Sequence, residues 1–152
     1  MKTILVTLLL AVSCFAQSAD PSSIYAAGIS SNPSASPAVG GFGMYAKEVT
    51  GGTYAVTLLD IAPLSAKPFT VATQLSAGVA QKLFTVKSLP VYALAAAGGS
   101  FQGTNSGFAW TGGGATVAYI KGHKVMLGLR FIKSAVSNGS GYQVNPAVGY
   151  VF

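Results

Sequence analysis

The chain has 152 residues and a net charge of +6, with 51% hydrophobic but only 8% charged residues. Its length fits one domain, and its charged fraction is far below the roughly 25% of soluble globular proteins, so water is not expected to be its only solvent. Gly, Ser, Thr and Pro interrupt every apolar run after the N terminus, which excludes a membrane-spanning helix of about 18 unbroken apolar residues.

The N terminus has the three parts of a secretory signal peptide: a basic residue, an apolar run over residues 4–12, and a stretch of small residues. We assign residues 1–19 to the signal, with cleavage near residues 16–19, and residues 20–152 to one exported domain. An alternative makes Cys14 the lipidated first residue of a bacterial lipoprotein. If Cys14 leaves with the signal, the mature chain has no cysteine and therefore no disulfide.

The exported part contains eight segments in which apolar residues alternate with small or polar ones, and turn residues separate the segments. Eight strands are the smallest number that closes a bilayer-spanning barrel. The predicted fold is therefore all-β, an eight-stranded antiparallel up-and-down transmembrane β-barrel. The predicted strands cover residues 22–30, 38–49, 53–62, 69–84, 90–101, 108–121, 125–132 and 141–152. The predicted connections include a Pro/Ser loop at 32–37 and loops at 63–68, 102–107 and 136–141, with shorter turns at 50–52, 85–89 and 122–124.

The alternation also predicts which side chains face lipid and which face the lumen, because successive residues of a strand point to opposite faces. We expect eight apolar residues to face lipid: Val71, Leu75, Val79, Val125, Leu127, Leu129, Phe131 and Val148. We expect a polar lumen that holds Arg130, Gln74, Thr57, Glu48 and Lys82, with the Arg130 guanidinium bonded to Gln74 or Thr57 or holding lumen water. A shared interior of Leu75, Leu127 and Val148 would contradict this assignment.

The last twelve residues are apolar on one face and small or polar on the other. They resemble the C-terminal signature of bacterial outer-membrane β-barrels, in which a polar and a small residue precede two aromatic or apolar residues. Here these positions are Asn145, Ala147, Tyr150 and Phe152, with Ala147 where the family usually has glycine. In that family this segment is the closing strand and is recognised by the assembly machinery.

The whole chain resembles small outer-membrane barrels of the outer membrane protein A transmembrane-domain and opacity type. The resemblance implies a monomer in the outer membrane of a Gram-negative cell envelope. Outer-membrane lipid and lipopolysaccharide would surround it. The barrel assembly machinery and periplasmic chaperones would be its assembly partners. It also places Phe152 and the three short turns on the periplasmic side, with longer loops outside.

Aromatic residues are expected near both ends of the strands, as in the two girdles of membrane barrels. The predicted periplasmic girdle contains Tyr54, Phe84, Tyr92, Tyr119, Tyr150 and Phe152. The predicted outer girdle contains Phe69, Phe101, Phe108, Trp110 and Phe131.

The sequence offers no constellation for catalysis. His123 is the single histidine and lies in a predicted turn, and the chain has only three acidic residues. Neither a Ser-His-acid site nor a metal site is expected, and no cofactor is implied. The lysines are scattered one at a time near strand ends, which argues against nucleic acid as a partner and favours lipid headgroups or lipopolysaccharide phosphates.

Three functions follow in order of preference. The first is an integral outer-membrane barrel with a filled lumen, no enzymatic activity, and a structural or surface-interaction role. The second is a narrow, weakly anion-favouring pore lined by Arg130. The third is a soluble exported β-sandwich or lipocalin-like binding protein, which would need its polar face outside.

Overall fold

The computed structural model describes residues 17–18, 22–31, 39–66, 69–87, 89–136 and 139–152. The predicted signal peptide, apart from residues 17–18, and the predicted loop at 32–37 lie outside the described residues. The described chain consists of strands joined by turns: β1 (Gln17–Ser18), β2 (Ser23–Ser31), β3 (Val39–Thr50), β4 (Thr53–Ala66), β5 (Phe69–Val86), β6 (Leu89–Gln102), β7 (Asn105–Ile120), β8 (His123–Val136) and β9 (Gly139–Val151). Within these ranges, no helix is long and apolar enough to span a membrane.

Strands β2 to β9 form a closed barrel. Each pairs antiparallel with the next along the chain, and β2 also pairs with β9, with Ala27 opposite Tyr150. The ring has no open edge, so the strands satisfy one another's backbone donors and acceptors. The short β1 adds to β7 beside Ala118 and Tyr119. The eight-stranded antiparallel up-and-down barrel predicted from the sequence is confirmed.

The strands are longer than the sequence predicted, and the loops are correspondingly shorter. The loop predicted at 63–68 is mostly strand, because a register shift between Pro63 and Ser65 lets β4 continue past the proline to Ala66. Likewise β7 begins at Asn105, and β9 begins at Gly139. Three of the four predicted outer loops therefore leave only two residues between strands: 67–68, 103–104 and 137–138. The prediction that these three loops are longer than the turns at the opposite end of the barrel is wrong.

Inward-facing glycines allow the wall to curve tightly. A Cβ atom at Gly98 of β6 would overlap the backbone carbonyl of Leu75 on β5, and one at Gly78 would overlap that of Ala95. Only a residue without a side chain permits this approach between neighbouring strands. The glycines are thus part of how a barrel of eight strands closes.

The outer wall is apolar. Leu75 is 52% exposed, Phe131 is 49% exposed and Val148 is 40% exposed. The other residues assigned to lipid are also on the outer side: Val79 and Leu129 are exposed, and Val71, Val125 and Leu127 are partly exposed. Leu75, Leu127 and Val148 therefore share no interior, and the closed ring of strands excludes a two-sheet sandwich.

Candidate functional site in the barrel interior

The interior has two halves of different polarity. We call the end with the β3–β4, β5–β6 and β7–β8 connections the turn end, and the opposite end the loop end. Inward residues toward the loop end are polar and buried: Ser30, Asp60, Gln74, Ser76, Ser100, Thr111, Arg130, Ser134 and Asn145. Inward residues toward the turn end form an apolar cluster. The alternation in the sequence predicts a polar lumen without this division.

A buried ion pair lies at the centre of the polar half. Arg130 donates a hydrogen bond from Nη1 to Asp60 Oδ2 at 2.9 Å, and its Nη2 lies 2.7 Å from Oδ1. The Phe42 ring packs against the guanidinium, with its centroid 4.9 Å from Cζ. Since both charged side chains are more than nine-tenths buried, each depends on the other for compensation. The pair holds β4 and β8, which are not neighbours in the sheet, together across the lumen.

Hydrogen bonds join further polar side chains of this half. Gln74 donates from Nε2 to Thr111 Oγ1 at 2.9 Å and to Ser76 Oγ at 3.0 Å. The expected bond between Gln74 and Arg130 is not among the hydrogen bonds of the described residues, because Asp60 holds the guanidinium instead. Asn145 faces the lumen opposite Arg130 on β8.

The polar half encloses little free space. Its cavity of about 20 Å³ is lined by residues that include Asp60, Gln74 and Asn145. That volume holds about one water molecule. Within the described part of the chain, the Nε of Arg130 and the Oδ1 of Asn145 have no hydrogen-bond partner. A water in this cavity could donate to the amide oxygen of Asn145, which lines it, but a sugar or nucleotide would not fit.

Apolar side chains fill the turn-end half. Tyr54 and Tyr92 meet edge to face with ring centroids 5.5 Å apart. Leu58 and Val117 are each only 1% exposed, and Met126 packs in the same cluster. A second cavity of about 30 Å³ has an entirely apolar lining. This plug separates the polar half from the turn end.

Two of the lumen assignments made from the sequence are wrong on β4 and β3. Thr57 is exposed on the outer wall, because Tyr54, Leu58 and Asp60 of the same strand point inward. Both faces of β4 are apolar, so the alternation alone does not predict which face points to the lumen and which to the outside. The missed signal is Asp60: a carboxylate in mid-strand has to face the interior.

Glu48 is exposed at the turn end rather than inside the lumen, and its Oε1 accepts a hydrogen bond of 2.9 Å from the backbone N–H of Gly52. It therefore stabilises the β3–β4 turn. Lys82 is partly buried at the same end, where its backbone N–H donates to the Gly52 carbonyl at 2.8 Å. Neither residue belongs to the polar half.

The C-terminal signature divides between the two faces of β9. Asn145 and Ala147 are buried inside, whereas Tyr150 and Phe152 are exposed on the outer wall. Tyr150 Oη lies 3.2 Å from Nδ1 of His123, and the Tyr150 and Phe152 rings meet edge to face at 5.1 Å. The Phe152 N–H donates to the Tyr25 carbonyl at 2.8 Å, which ties the terminus to β2.

The girdle predicted at the turn end is only partly external. Tyr54 and Tyr92 face the lumen and belong to the plug, and Tyr119 packs against it. Phe84, Tyr150 and Phe152 are exposed on the outer wall, where the rings of Tyr25 and Tyr45 also contact each other at an angle of 34°. At the loop end the exposed aromatic residues are Phe101, Phe108, Trp110 and Phe131, while the Phe69 side chain lies outside the described residues.

His123 lies in β8 rather than in a turn, and it contacts Tyr150. Among the described residues, no three His, Cys, Asp or Glu side chains are grouped as metal ligands. The described interior residues pack against one another and compensate each other's charge.

No protein-family model matches the chain, and no curated protein matches its sequence. A solved structure with a similar fold is the crystal structure of Ail, the attachment invasion locus protein of Yersinia pestis. The two chains share 12% sequence identity with a TM-score of 0.51, and the match covers 86% of this chain and 95% of Ail. At this identity the similarity concerns the fold alone.

Proposed function

We propose that the protein is an integral barrel of the bacterial outer membrane with a plugged interior and a structural or surface-interaction role. The observation that carries this proposal is the distribution of polarity. A closed barrel presents large apolar side chains such as Leu75, Val79 and Phe131 to its surroundings and encloses an ion pair. Water-soluble proteins rarely expose apolar surface continuously, whereas membrane barrels carry an apolar band.

The fold similarity to Ail, itself an eight-stranded outer-membrane barrel, supports the same location. Strands β2 to β9 are 9 to 18 residues long, which meets the roughly 9–11 residues that a tilted strand needs to cross a bilayer. Under this proposal residues 1–19 are a cleaved signal and the barrel is a monomer of the outer membrane protein A or opacity type. Outer-membrane lipid and lipopolysaccharide surround it, and the assembly machinery recognises Asn145, Ala147, Tyr150 and Phe152.

A surface-interaction role would use few loop residues. Of the loop-end connections, the one between β2 and β3 spans seven residues, 32–38, while the other three span two each. We therefore propose this first connection and the neighbouring rim as the contact surface. Substituting that connection with a short Gly-Ser linker should abolish any partner binding while leaving the barrel folded.

The pore alternative finds less support. Asp60 compensates the charge of Arg130, so the guanidinium does not present a free positive site to an anion. The plug of Tyr54, Tyr92 and Leu58 closes the turn-end half. We expect the refolded protein to be silent in planar-bilayer recordings; steady anion-selective conductance that disappears in Arg130→Glu would establish the pore instead.

Membrane insertion is tested by diluting denatured protein into phosphatidylcholine vesicles and following migration on a cold detergent gel with and without boiling. We expect a compact, heat-modifiable species that floats with the vesicles and resists protease. A protein that stays monodisperse in buffer without lipid or detergent would refute the membrane assignment and favour the lipocalin-like alternative.

A further inference from the structure

The charged side chains are unevenly distributed along the barrel axis. Of the charged residues that the structure describes, five lysines lie at the turn end with a single acid, Glu48: they are Lys47, Lys82, Lys87, Lys121 and Lys124. The loop end carries Lys133, and Asp60 compensates Arg130 inside. Five of the lysines that are scattered along the sequence thus gather at one end, which we call the basic rim. An excess of like charge on one rim raises the local concentration of anions.

Two residues of the basic rim occupy a backbone conformation that side chains avoid. Lys87 has a φ of 46° and Lys121 a φ of 50°, and at the corresponding position of the first turn Gly51 has a φ of 46°. Tight hairpin turns of this kind usually place Asn or Gly there, because a Cβ atom is unfavourable in left-handed backbone. Unfavourable backbone conformations cluster at functional positions. The two lysines therefore suggest a role that outweighs their conformational cost.

Aromatic residues fix the level of the basic rim relative to a bilayer. On the outer wall just inside the rim, the tilted rings of Tyr25 and Tyr45 contact each other with centroids 4.7 Å apart, and Tyr150 packs against Phe152. Such amphipathic aromatic rings sit at the headgroup level of a membrane. Lys47 follows Tyr45 on the same face of β3 and is exposed. Lys47 and the lysines of the turns therefore lie farther toward the turn end than these rings.

We propose that the basic rim binds anionic phospholipid headgroups, and that Lys47, Lys87 and Lys121 provide the main contacts. This inference rests on the proposed membrane insertion. The orientation implied by the C-terminal Phe152 puts the rim in the periplasmic leaflet, where phospholipid rather than lipopolysaccharide is the neighbouring lipid. Juxtamembrane lysines attract anionic lipid by an electrostatic term that salt screens.

The test compares four forms of the full chain in phosphatidylcholine bilayers that contain a minor fraction of phosphatidylglycerol. They are wild type, the neutral variant Lys47→Gln/Lys87→Asn/Lys121→Asn, the charge-retaining variant Lys47→Arg/Lys87→Arg/Lys121→Arg, and the loop-end control Lys133→Gln. Insertion of each is first verified by heat-modifiable migration. The association of spin-labelled phosphatidylglycerol relative to spin-labelled phosphatidylcholine is then measured at low and high salt.

We expect wild type, the arginine variant and Lys133→Gln to prefer phosphatidylglycerol on the order of fivefold at low salt, with most of the preference lost at high salt. The neutral variant should insert and lose most of the preference, because only Lys82 and Lys124 then remain in the rim. Because Asn tolerates positive φ, it should also unfold at a higher urea concentration than wild type. An inserted neutral variant that keeps the full preference, or an equal loss in Lys133→Gln, would overturn the lipid site. Failure of wild type itself to insert would refute the proposed function instead.

Discussion

Removal of one partner of the buried ion pair is the sharpest test of the interior. Arg130→Met leaves the Asp60 carboxylate, which is 6% exposed, without its counter-charge. Breaking a buried pair in this way costs about 3–5 kcal/mol of the free energy of unfolding. Asp60→Leu should cost a similar amount, because the guanidinium then loses both of its contacts, at 2.9 and 2.7 Å.

The double variant Asp60→Leu/Arg130→Met should be less destabilised than the sum of the single variants by about 2–3 kcal/mol, since it leaves no uncompensated charge. The assay is equilibrium urea unfolding in lipid vesicles, followed by the fluorescence of Trp110, the single tryptophan. Thr57→Ala on the outer wall is the matched control and should change stability by less than about 0.5 kcal/mol. Strict additivity, or single losses below about 1 kcal/mol, would show that the pair does not hold β4 to β8.

Four further outcomes follow from the wall, the plug and the terminus. Gly98→Ala should lower the free energy of unfolding by more than about 2 kcal/mol, because its Cβ would overlap a carbonyl. Gly43→Ala is the control: nothing lies within 4 Å of the new atom, so the urea midpoint should not change. Leu75→Arg should lower stability in vesicles by about 2–4 kcal/mol if the residue lies near mid-bilayer, and an unchanged midpoint would count against insertion. Tyr92→Ala should lower the free energy of unfolding by about 3–5 kcal/mol, because it opens a cavity in the plug. A loss below about 1 kcal/mol in the same unfolding assay would show that the plug relaxes into the vacated space. Phe152→Ala should reduce outer-membrane assembly in cells but barely change unfolding in vitro, because the side chain is 72% exposed; equal assembly in pulse-labelled cells would remove its signal role.

The sequence predicted the number and order of the barrel strands well, since each strand repeats an alternation that turn residues interrupt. For β5 it also predicted the direction of the faces, because Gln74 and Ser76 oppose Val79 and Leu75 unambiguously. For β4 it did not, and Thr57 was placed in the lumen. The outer face of that strand carries Leu59 and the inner face Leu58, so hydrophobicity does not distinguish them.

Strand ends were predicted less well than strand centres. Pro63 and the glycine-rich connections predict loops, because proline removes a ladder donor and glycine weakens a strand. In the closed barrel a bulge absorbs the irregularity of β4, and pairing on both sides extends the strands beyond their own propensities. The lengths of the loops therefore depended on neighbouring strands rather than on local sequence.

The sequence by itself determined that this chain forms an apolar-walled barrel of eight strands, because side-chain alternation and turn chemistry act over a few neighbouring residues. Only the tertiary structure decided that Arg130 pairs with Asp60 rather than Gln74 or Thr57, that Tyr54 and Tyr92 plug the lumen, and that separate lysines form one rim. These residues lie far apart along the chain, and their contacts depend on the register of strands around a closed ring. The register determines which side chains lie at the same height in the interior, and it cannot be predicted from the sequence of a single strand.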